Sequence, residues 1–351
     1  MYSVALTYQE NVPLAPLTTF GVGGDARLFA EAVNESDIEQ AFIENRDKAI
    51  FVLGGGSNVL ISDRGFDGLV LKIATKGLSF DSADDATTFV TAEAGEDWDE
   101  FVAECVGRNL AGVECLSGIP GLVGGTPIQN VGAYGQEVSE TIVSVRVLDR
   151  ATGEISEVSN ADCGFEYRRS VFNGSLKDRF VVLTVSFKLK QGGSPRIEYG
   201  DLKRTFGKRK PGLSEVRNAV REIRASKGML VRQGGPDSRS AGSFFKNPVV
   251  GSDGLRRIAR VLMVDEASVP RFDMGKGNYK VPAAWLIERA GFEKGYLRGR
   301  AGISTLHSLA LTNRGGAEAE EIIALKEEIE TAIGQRFQID LVNEPNLIGF
   351  D

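Results

Sequence analysis

The sequence predicts an α+β protein built in three parts. Three observations carry that expectation. Segments with helical periodicity are interleaved with short apolar runs along the whole chain, without the regular strand–helix alternation of a parallel α/β fold. Glycine is abundant, at 42 residues, and clusters between those segments instead of recurring at a fixed period, which marks built loops and not a repeat array. No polar linker is long enough to separate independent modules. The 351 residues are expected to divide at 1–75, 76–213 and 214–351.

In the first part, "SDIEQAFIENRDK" (36–48) predicts a helix. Ser36 and Glu39 have the spacing of a capping box, and Ile38, Ala41 and Phe42 form an apolar face. "AIFVL" (49–53) reads as a buried strand, followed by "GGGSN" and two further apolar runs, "VLIS" and "LVLKI". The second part opens on the strand "TTFVTAEAG". Next comes a helix over "DWDEFVAECVGRNL", with Asp97 and Glu100 as capping residues and Trp98, Phe101, Val102, Cys105 and Val106 at helical spacing. A glycine-rich stretch (112–135) precedes strands at "TIVSVRVLDR" and "RFVVLTVSFKLK". The third part begins with an amphipathic helix at 214–227, built on Val216, Ala219, Val220 and Ile223. Two short helices follow at "SDGLRRIARVLM" and "PAAWLIERAG", then a strand at "STLHSLALTN", a long helix at "AEAEEIIALKEEIETAI" and the closing "RFQIDLVNEPNLIGF".

Composition narrows the function. An apolar fraction of 42% with 19 phenylalanines supports ordinary cores and excludes a mainly disordered chain. A formal charge of −7 argues against nucleic acid as the main partner. Cys105, Cys115 and Cys163 lack metal-type spacing, and one histidine in the whole chain leaves no zinc set, so no metal is expected. The cysteines are expected to be reduced and at or near the core of a cytoplasmic protein. The N-terminal residues have neither the basic nor the apolar region of a signal peptide, and no run approaches the about 20 apolar residues of a membrane span.

Three glycine clusters bear on ligands. "GVGGDA" (21–26) fits the form of a dinucleotide fingerprint but follows no strand, so the Rossmann context is missing; a P-loop motif is absent too. "GGGSN" (54–58) does follow a strand, and its backbone N–H groups can form an anion-binding nest; an ordinary tight turn is the alternative. "SGIPGLVGGTPIQNVGAYGQE" (117–137) has six glycines and two prolines among residues that are almost uncharged. Such a segment is expected to be largely buried and to satisfy its own backbone, and lying along an extended cofactor is one way to do so. Together the last two loops point to a dinucleotide held by backbone contacts outside the Rossmann scheme.

"SAGSFFKNP" (240–248) presents Ser243 in a glycine-containing turn. A serine nucleophile needs a neighbouring base, and the single histidine, His307, lies far along the chain in a segment that reads as structural. Ser243 is therefore either turn chemistry or a group whose task is not nucleophilic attack.

In order along the chain, "LGGGSNVL", the 117–137 block, "EYRRSVF", "YGDL", "SAGSFFKNP", "AAWLIERAGFEKG" and "NEPNLIGF" resemble the UDP-N-acetylenolpyruvoylglucosamine reductase family, from about Pro13 to Phe350. Thr18 and Asn173 stand where that family commonly has Asn and Lys, and the stretch 228–239 is longer than usual. The resemblance implies a two-part FAD-binding region of the vanillyl-alcohol-oxidase or PCMH type and a C-terminal α+β substrate-binding domain. It implies NADPH as hydride donor and a UDP-sugar enolpyruvyl ether as substrate, reduced to UDP-N-acetylmuramate. FAD is implied along 54–58 and 118–136, through Gly54, Gly55, Gly56, Ser57, Asn58, Ile119, Pro120, Gly121, Gly124, Gly125, Thr126, Gln129, Asn130, Gly132, Ala133 and Tyr134. It is expected to be non-covalent, because neither loop contains histidine. "IEYGDL" resembles the type I subgroup, in which the tyrosine, here Tyr199, folds over the substrate.

That chemistry gives the side chains roles. Ser243 is expected to deliver a proton, Arg168 to grip the substrate carboxylate and Glu344 to assist the enol. Arg169 reads as a solvated neighbour of Arg168. Arg224 and Lys227, one helical turn apart, are expected at the diphosphate, and Lys246 and Asn247 at the nucleotide. A monomer is expected. Two rival readings remain: another FAD oxidase or dehydrogenase acting on an alcohol or sugar, and a non-catalytic sugar-nucleotide binder.

Overall fold

The computed structural model describes residues 6–230, 235 and 237–350. Parts of the long stretch 228–239, namely 231–234 and 236, lie outside the described residues. The chain separates into two compact units, each drawing on more than one stretch of sequence. The first contains the residues up to Val12, Ala26–Gly56 and Phe66–Leu230; the second contains Pro13–Asp25, Ser57–Gly65 and the residues after Leu230. This differs from the expected boundaries in three places: 13–25 and 57–65 belong with the C-terminal residues, and the helix expected to open the third part belongs to the first unit.

Among its described residues the first unit has, besides the short pair Gly132–Ala133 with Gln136–Glu137, two large sheets. One is ordered Gln9–Pro13, Asp25–Ala32, Phe66–Ile73, Ile50–Leu53, and its last three strands are parallel. The helix α1 (Glu35–Glu44) buries the expected Ile38, Ala41 and Phe42. Its cap is not Ser36: Asn34 accepts from the Asp37 N–H at 2.9 Å, while the Asp37 carboxylate accepts from the Val33 N–H. The helix stops at Glu44 because the Asn45 side chain donates to the Ala41 carbonyl and breaks the ladder. The second sheet is antiparallel, in the order Ile155–Ser159, Ile142–Asp149, Phe180–Gln191, Thr87–Glu93, Leu78–Asp84. Its last strand, "LSFDSAD", was not expected; it is an exposed edge with polar residues on both faces.

Helix α2 (Trp98–Gly107) starts as expected on Asp97, which accepts from the Glu100 N–H at 2.9 Å, a contact of about 1 kcal/mol. Its apolar face places Trp98 and Phe101 against Phe187, with ring centroids 4.9–6.0 Å apart. Two further helices close this unit, α3 (Gly200–Phe206) and α4 (Leu213–Ser226), sharing a small core of Leu202, Phe206, Val216, Ala219 and Val220 with Cys115 and Tyr134. Helix α3 was not expected; seven residues opening on glycine leave no periodic signature.

The second unit packs α5 (Ser252–Leu262), α6 (Ala283–Arg289) and α7 (Ala319–Phe337) with two three-stranded sheets and a parallel pair, Val59–Ile61 with Asn346–Ile348. Its core includes Phe20, Val22 and Leu60 from the N-terminal stretches. "STLHSLALTN" is not one strand. Strands Ala301–Ile303 and Leu311–Asn313 pair antiparallel, and the chain reverses between them because Ser304 Oγ accepts the N–H groups of Leu306 and His307. All three cysteines are buried and free. Burial pushes the Cys105 and Cys163 thiols up to about 12, which keeps them protonated and unreactive. Among the described residues no helix is long and apolar enough to cross a membrane.

Candidate active site

In the first unit the two glycine loops meet backbone to backbone. A Cβ on Gly55 would lie 2.8 Å from the Gly121 Cα, so only glycine permits this approach. Gly56 holds the turn at φ +63° and Gly121 has φ +120°. A Cβ on Gly125 would meet nothing within 4 Å, and Gly55 and Gly125 are both exposed. The loops thus present an open, side-chain-free lip of backbone above a packed floor. This fits the phosphate-bearing middle of a dinucleotide.

The floor explains which loop residues face inward. Val123, Thr126 and Asn130 are buried. The Thr126 hydroxyl donates to the Val123 carbonyl, and the Asn130 amide donates to Glu137 Oε2 and the Glu166 carbonyl while accepting from Ser139 N–H. The side chains of Thr126 and Asn130, expected at the cofactor, thus brace the loop itself, leaving their backbone for a ligand. Three braces escaped sequence reasoning. Trp98 Nε1 donates to the Leu116 carbonyl at 3.0 Å. The Asp99 carboxylate takes the Gly118 N–H at 2.6 Å together with the guanidiniums of Arg217 and Arg221. Glu114, buried, accepts from Gly112 N–H, Gln136 Nε2 and Arg196 N–H. A buried glutamate needs such a set of donors, but its partners are scattered over more than 80 positions of sequence and leave no local signal.

Arg224 is likewise a brace. It is buried in α4, donating from Nε to the Gly118 carbonyl at 3.0 Å and from Nη2 to the Met229 carbonyl at 2.9 Å. Burial pulls its pKa down, against the opposing effect of Tyr134. It therefore anchors the loop instead of reaching out as one of two paired cations. Lys227 sits at the end of α4 and ion-pairs with Asp201 at 2.7 Å, its ammonium 5.8 Å from the Tyr134 ring centre. Burial is the largest influence on Lys227 and lowers its pKa, but the Asp201 hydrogen bond and the nearby Tyr134, Asp201 and Tyr199 together outweigh it and leave the pKa raised. Tyr134 is buried, and its ring meets Tyr199 edge-on at 5.4 Å; Tyr199 is exposed and precedes α3. The serial "YGDL" motif thus places Tyr199 and Asp201 beside Tyr134 and Lys227.

Arg168 also belongs to this unit. It has φ +55°, a left-handed backbone unusual for a residue with a side chain, and its Nη2 donates to the Gly132 carbonyl at 2.9 Å. Arg169, its neighbour, is exposed and pairs loosely with Glu166 at 3.7 Å, as expected of a solvated charge.

The second unit assembles Ser243 and Glu344. Gly242 turns at φ +71° and delivers Ser243, half-buried, to the start of a short extended segment. The next two residues, Phe244 and Phe245, are fully buried, which fixes the serine's exit from the core. Phe244 accepts at its carbonyl from the Glu344 N–H at 2.9 Å, and Lys246 N–H donates to the Val342 carbonyl at 2.8 Å. Phe245 bridges Asn343. Asn58 joins the same group: its carbonyl accepts from Asn346 N–H at 3.0 Å and its Nδ2 donates to the Glu344 carbonyl at 3.2 Å. Asn247 Oδ1 accepts from Ala283 N–H at 2.9 Å at the start of α6. His307 Nδ1 accepts from Leu309 N–H within its own turn, the structural role expected of it. Of the predicted residues, the second unit thus holds Ser57, Asn58, Ser243, Lys246, Asn247 and Glu344. The first gathers Arg168, Tyr199, Arg224, Lys227 and the glycine loops. Among the described residues no acidic, cysteine or histidine cluster could hold a metal.

The family described as "UDP-N-acetylenolpyruvoylglucosamine reductase, C-terminal domain" matches residues 235–348, and the family described as "FAD binding domain" matches 26–159. The chain is 47% identical to the UDP-N-acetylenolpyruvoylglucosamine reductase of Thermobifida fusca, with 98% of each chain covered. It is 47% identical to that of Saccharopolyspora erythraea, over 95% of this chain and 91% of the other. The fold is similar to the crystal structure of the Thermus caldophilus enzyme, with a TM-score of 0.67, 23% identity and 98% of both chains covered.

Proposed function

The chain belongs to the UDP-N-acetylenolpyruvoylglucosamine reductase family, and from that premise we propose the part each unit plays. The protein is an NADPH-dependent flavoenzyme that reduces the enolpyruvyl group of UDP-N-acetylglucosamine enolpyruvate, giving UDP-N-acetylmuramate for peptidoglycan precursor synthesis. Bound FAD supplies a hydride, received from NADPH, to C3 of the enolpyruvyl group. In our reading the backbone of Gly54–Gly56 and of 118–136 holds its diphosphate non-covalently.

The chain's own side chains manage the charge and the proton. Hydride addition at C3 leaves a negative charge shared by C2 and the carboxylate. Arg168 grips that carboxylate; its guanidinium has five N–H donors, so the bond to Gly132 leaves others for the substrate. The Ser243 hydroxyl donates its proton to C2, completing the saturated lactyl ether, and is reprotonated from solvent. Glu344 hydrogen-bonds to the enolic centre as its charge develops. Lys227 exchanges Asp201 for the substrate diphosphate, and Tyr199 covers it. Lys246 and Asn247 attend the nucleotide. The enzyme works in the cytoplasm as a monomer.

The observation that carries this reading is the pairing of the serine and glutamate segments, in which the Phe244 carbonyl accepts from the Glu344 N–H. The test uses purified protein. It should show a flavin spectrum that is bleached by NADPH and restored by the enolpyruvyl substrate under anaerobic conditions. A colourless preparation, or a bleached spectrum that only oxygen restores, contradicts the reading.

A further inference from the structure

The turn that carries Arg168 contains a device that the roles above leave unused. Asn173 is half-buried five residues downstream, and both ends of its amide are engaged. Its Oδ1 accepts from the Ser170 N–H at 2.9 Å, and its Nδ2 donates to the Arg168 carbonyl at 3.2 Å. Ser170 in turn accepts at Oγ from the Phe172 N–H at 3.1 Å and donates to the Ile128 carbonyl at 2.7 Å, inside the glycine-rich loop. The short turn Val171–Asn173 is thereby closed on one side, and Arg168 is held on the other.

Closing a three-residue turn requires only the acceptor half of that amide. The donor half reaches back to the one residue in this stretch with a left-handed backbone, Arg168 at φ +55°. An arginine relaxes out of that region readily, because its side chain gains nothing there and the Cβ is crowded against the following carbonyl. Rotation about its φ and ψ would swing both its carbonyl and its side chain, and the guanidinium would leave the Gly132 carbonyl. Fixing the Arg168 carbonyl by an outside donor opposes that rotation directly.

We propose that Asn173 is a positioning residue for substrate binding: its Nδ2 holds Arg168 in the left-handed conformation that aims the guanidinium at the substrate carboxylate. This rests on the reading of Arg168 as the carboxylate's cation. Asn173 touches neither substrate nor cofactor in this role, and acts only through Arg168.

The side chain's two halves can be separated by substitution. Asn173→Asp keeps an acceptor for Ser170 but loses the donor to Arg168; Asn173→Ala loses both. The flavin-loaded Asp variant should melt close to the parent and be bleached by NADPH at the parent's rate. It should bind the enolpyruvyl substrate about five- to tenfold more weakly by calorimetry, the loss expected for one hydrogen bond. The Ala variant should bind as weakly and also melt lower. Arg168→Ala sets the limit: adding Asn173→Asp to it should weaken binding no further.

Substrate affinity of Asn173→Asp equal to the parent's overturns the proposal. So does an additive loss in the double variant, which means that Asn173 acts by another route, or an equal loss of melting temperature and both half-reactions in the Asp variant, which makes its role structural. If Arg168→Ala itself binds substrate like the parent, the carboxylate role of Arg168 falls instead, and the two failures are distinguished.

Discussion

Arg168, Tyr134 and Asn130 have left-handed backbones at φ +55°, +49° and +46°, in or beside the long glycine-rich loop. Each such residue costs on the order of 1–3 kcal/mol unless its surroundings impose it. Here they do: Asn130 through hydrogen bonds to Glu137, Glu166 and Ser139, Tyr134 through burial against α4, and Arg168 through Asn173 and Gly132. Away from the site, Asp149 is one of the carboxylates whose pKa the fold lowers. Asp149 accepts from Arg179 Nε at 2.8 Å and from the Ala151 N–H at 2.9 Å, and these bonds, Arg179 first, hold its pKa below the usual range. A lowered carboxylate stabilises the fold fully above its unfolded pKa, near 3.9 for a free Asp, and ceases to do so as pH falls through the folded value. Asp149→Asn should therefore lower the melting temperature at pH 7, and the gap to the parent should narrow as melts are taken towards pH 3. A gap that stays constant with pH would mean that the charge of Asp149 contributes nothing.

At the level of elements, the reading of the site depended on how local its signals are. Helix α2 and its Asp97 cap, the alternating strand Phe180–Gln191 and the two glycine loops were legible, because their patterns are complete within a dozen residues. The serine block was legible for the same reason. The cap of α1 was displaced from Ser36 to Asn34 because two candidate caps stand two residues apart and the backbone direction at the strand end chooses between them. Glu114, Asp99 and Arg224 were missed or misassigned because their function is to answer unpaired N–H and C=O groups of a loop distant in sequence. The glycines themselves separate fold from ligand. Gly55→Ala should lower both the melting temperature and flavin content, because its Cβ meets Gly121 backbone. Gly125→Ala has space within the protein and should leave the melting of the flavin-free chain nearly unchanged, within about 0.5 kcal/mol, while weakening flavin binding. Wild-type flavin affinity in Gly125→Ala would remove this glycine from the cofactor path.

At the scale of the whole molecule, the chain order hides the division of labour. Residues 57–65 lie in the first fifth of the sequence, yet they form a parallel pair with Asn346–Ile348 and give Asn58 to the group around Glu344. The expected boundary at residue 75 followed sequence proximity, and nothing in a run of apolar residues tells a strand which distant strand it will join. The outcome is that Gly54–Gly56, the 117–137 loop and the Arg168 turn belong to one unit, and Ser57, Asn58, Ser243 and Glu344 to the other. The two half-reactions should therefore be separable by mutation.

Stopped-flow absorbance of Ser243→Ala tests this account most directly. Bleaching of the flavin by NADPH should proceed at the parent's rate, while its recovery on adding the enolpyruvyl substrate should slow by 100-fold or more, the order of magnitude for losing a positioned proton donor. Recovery at the parent's rate, or an equal slowing of both phases, would contradict the assignment of Ser243 as the proton donor.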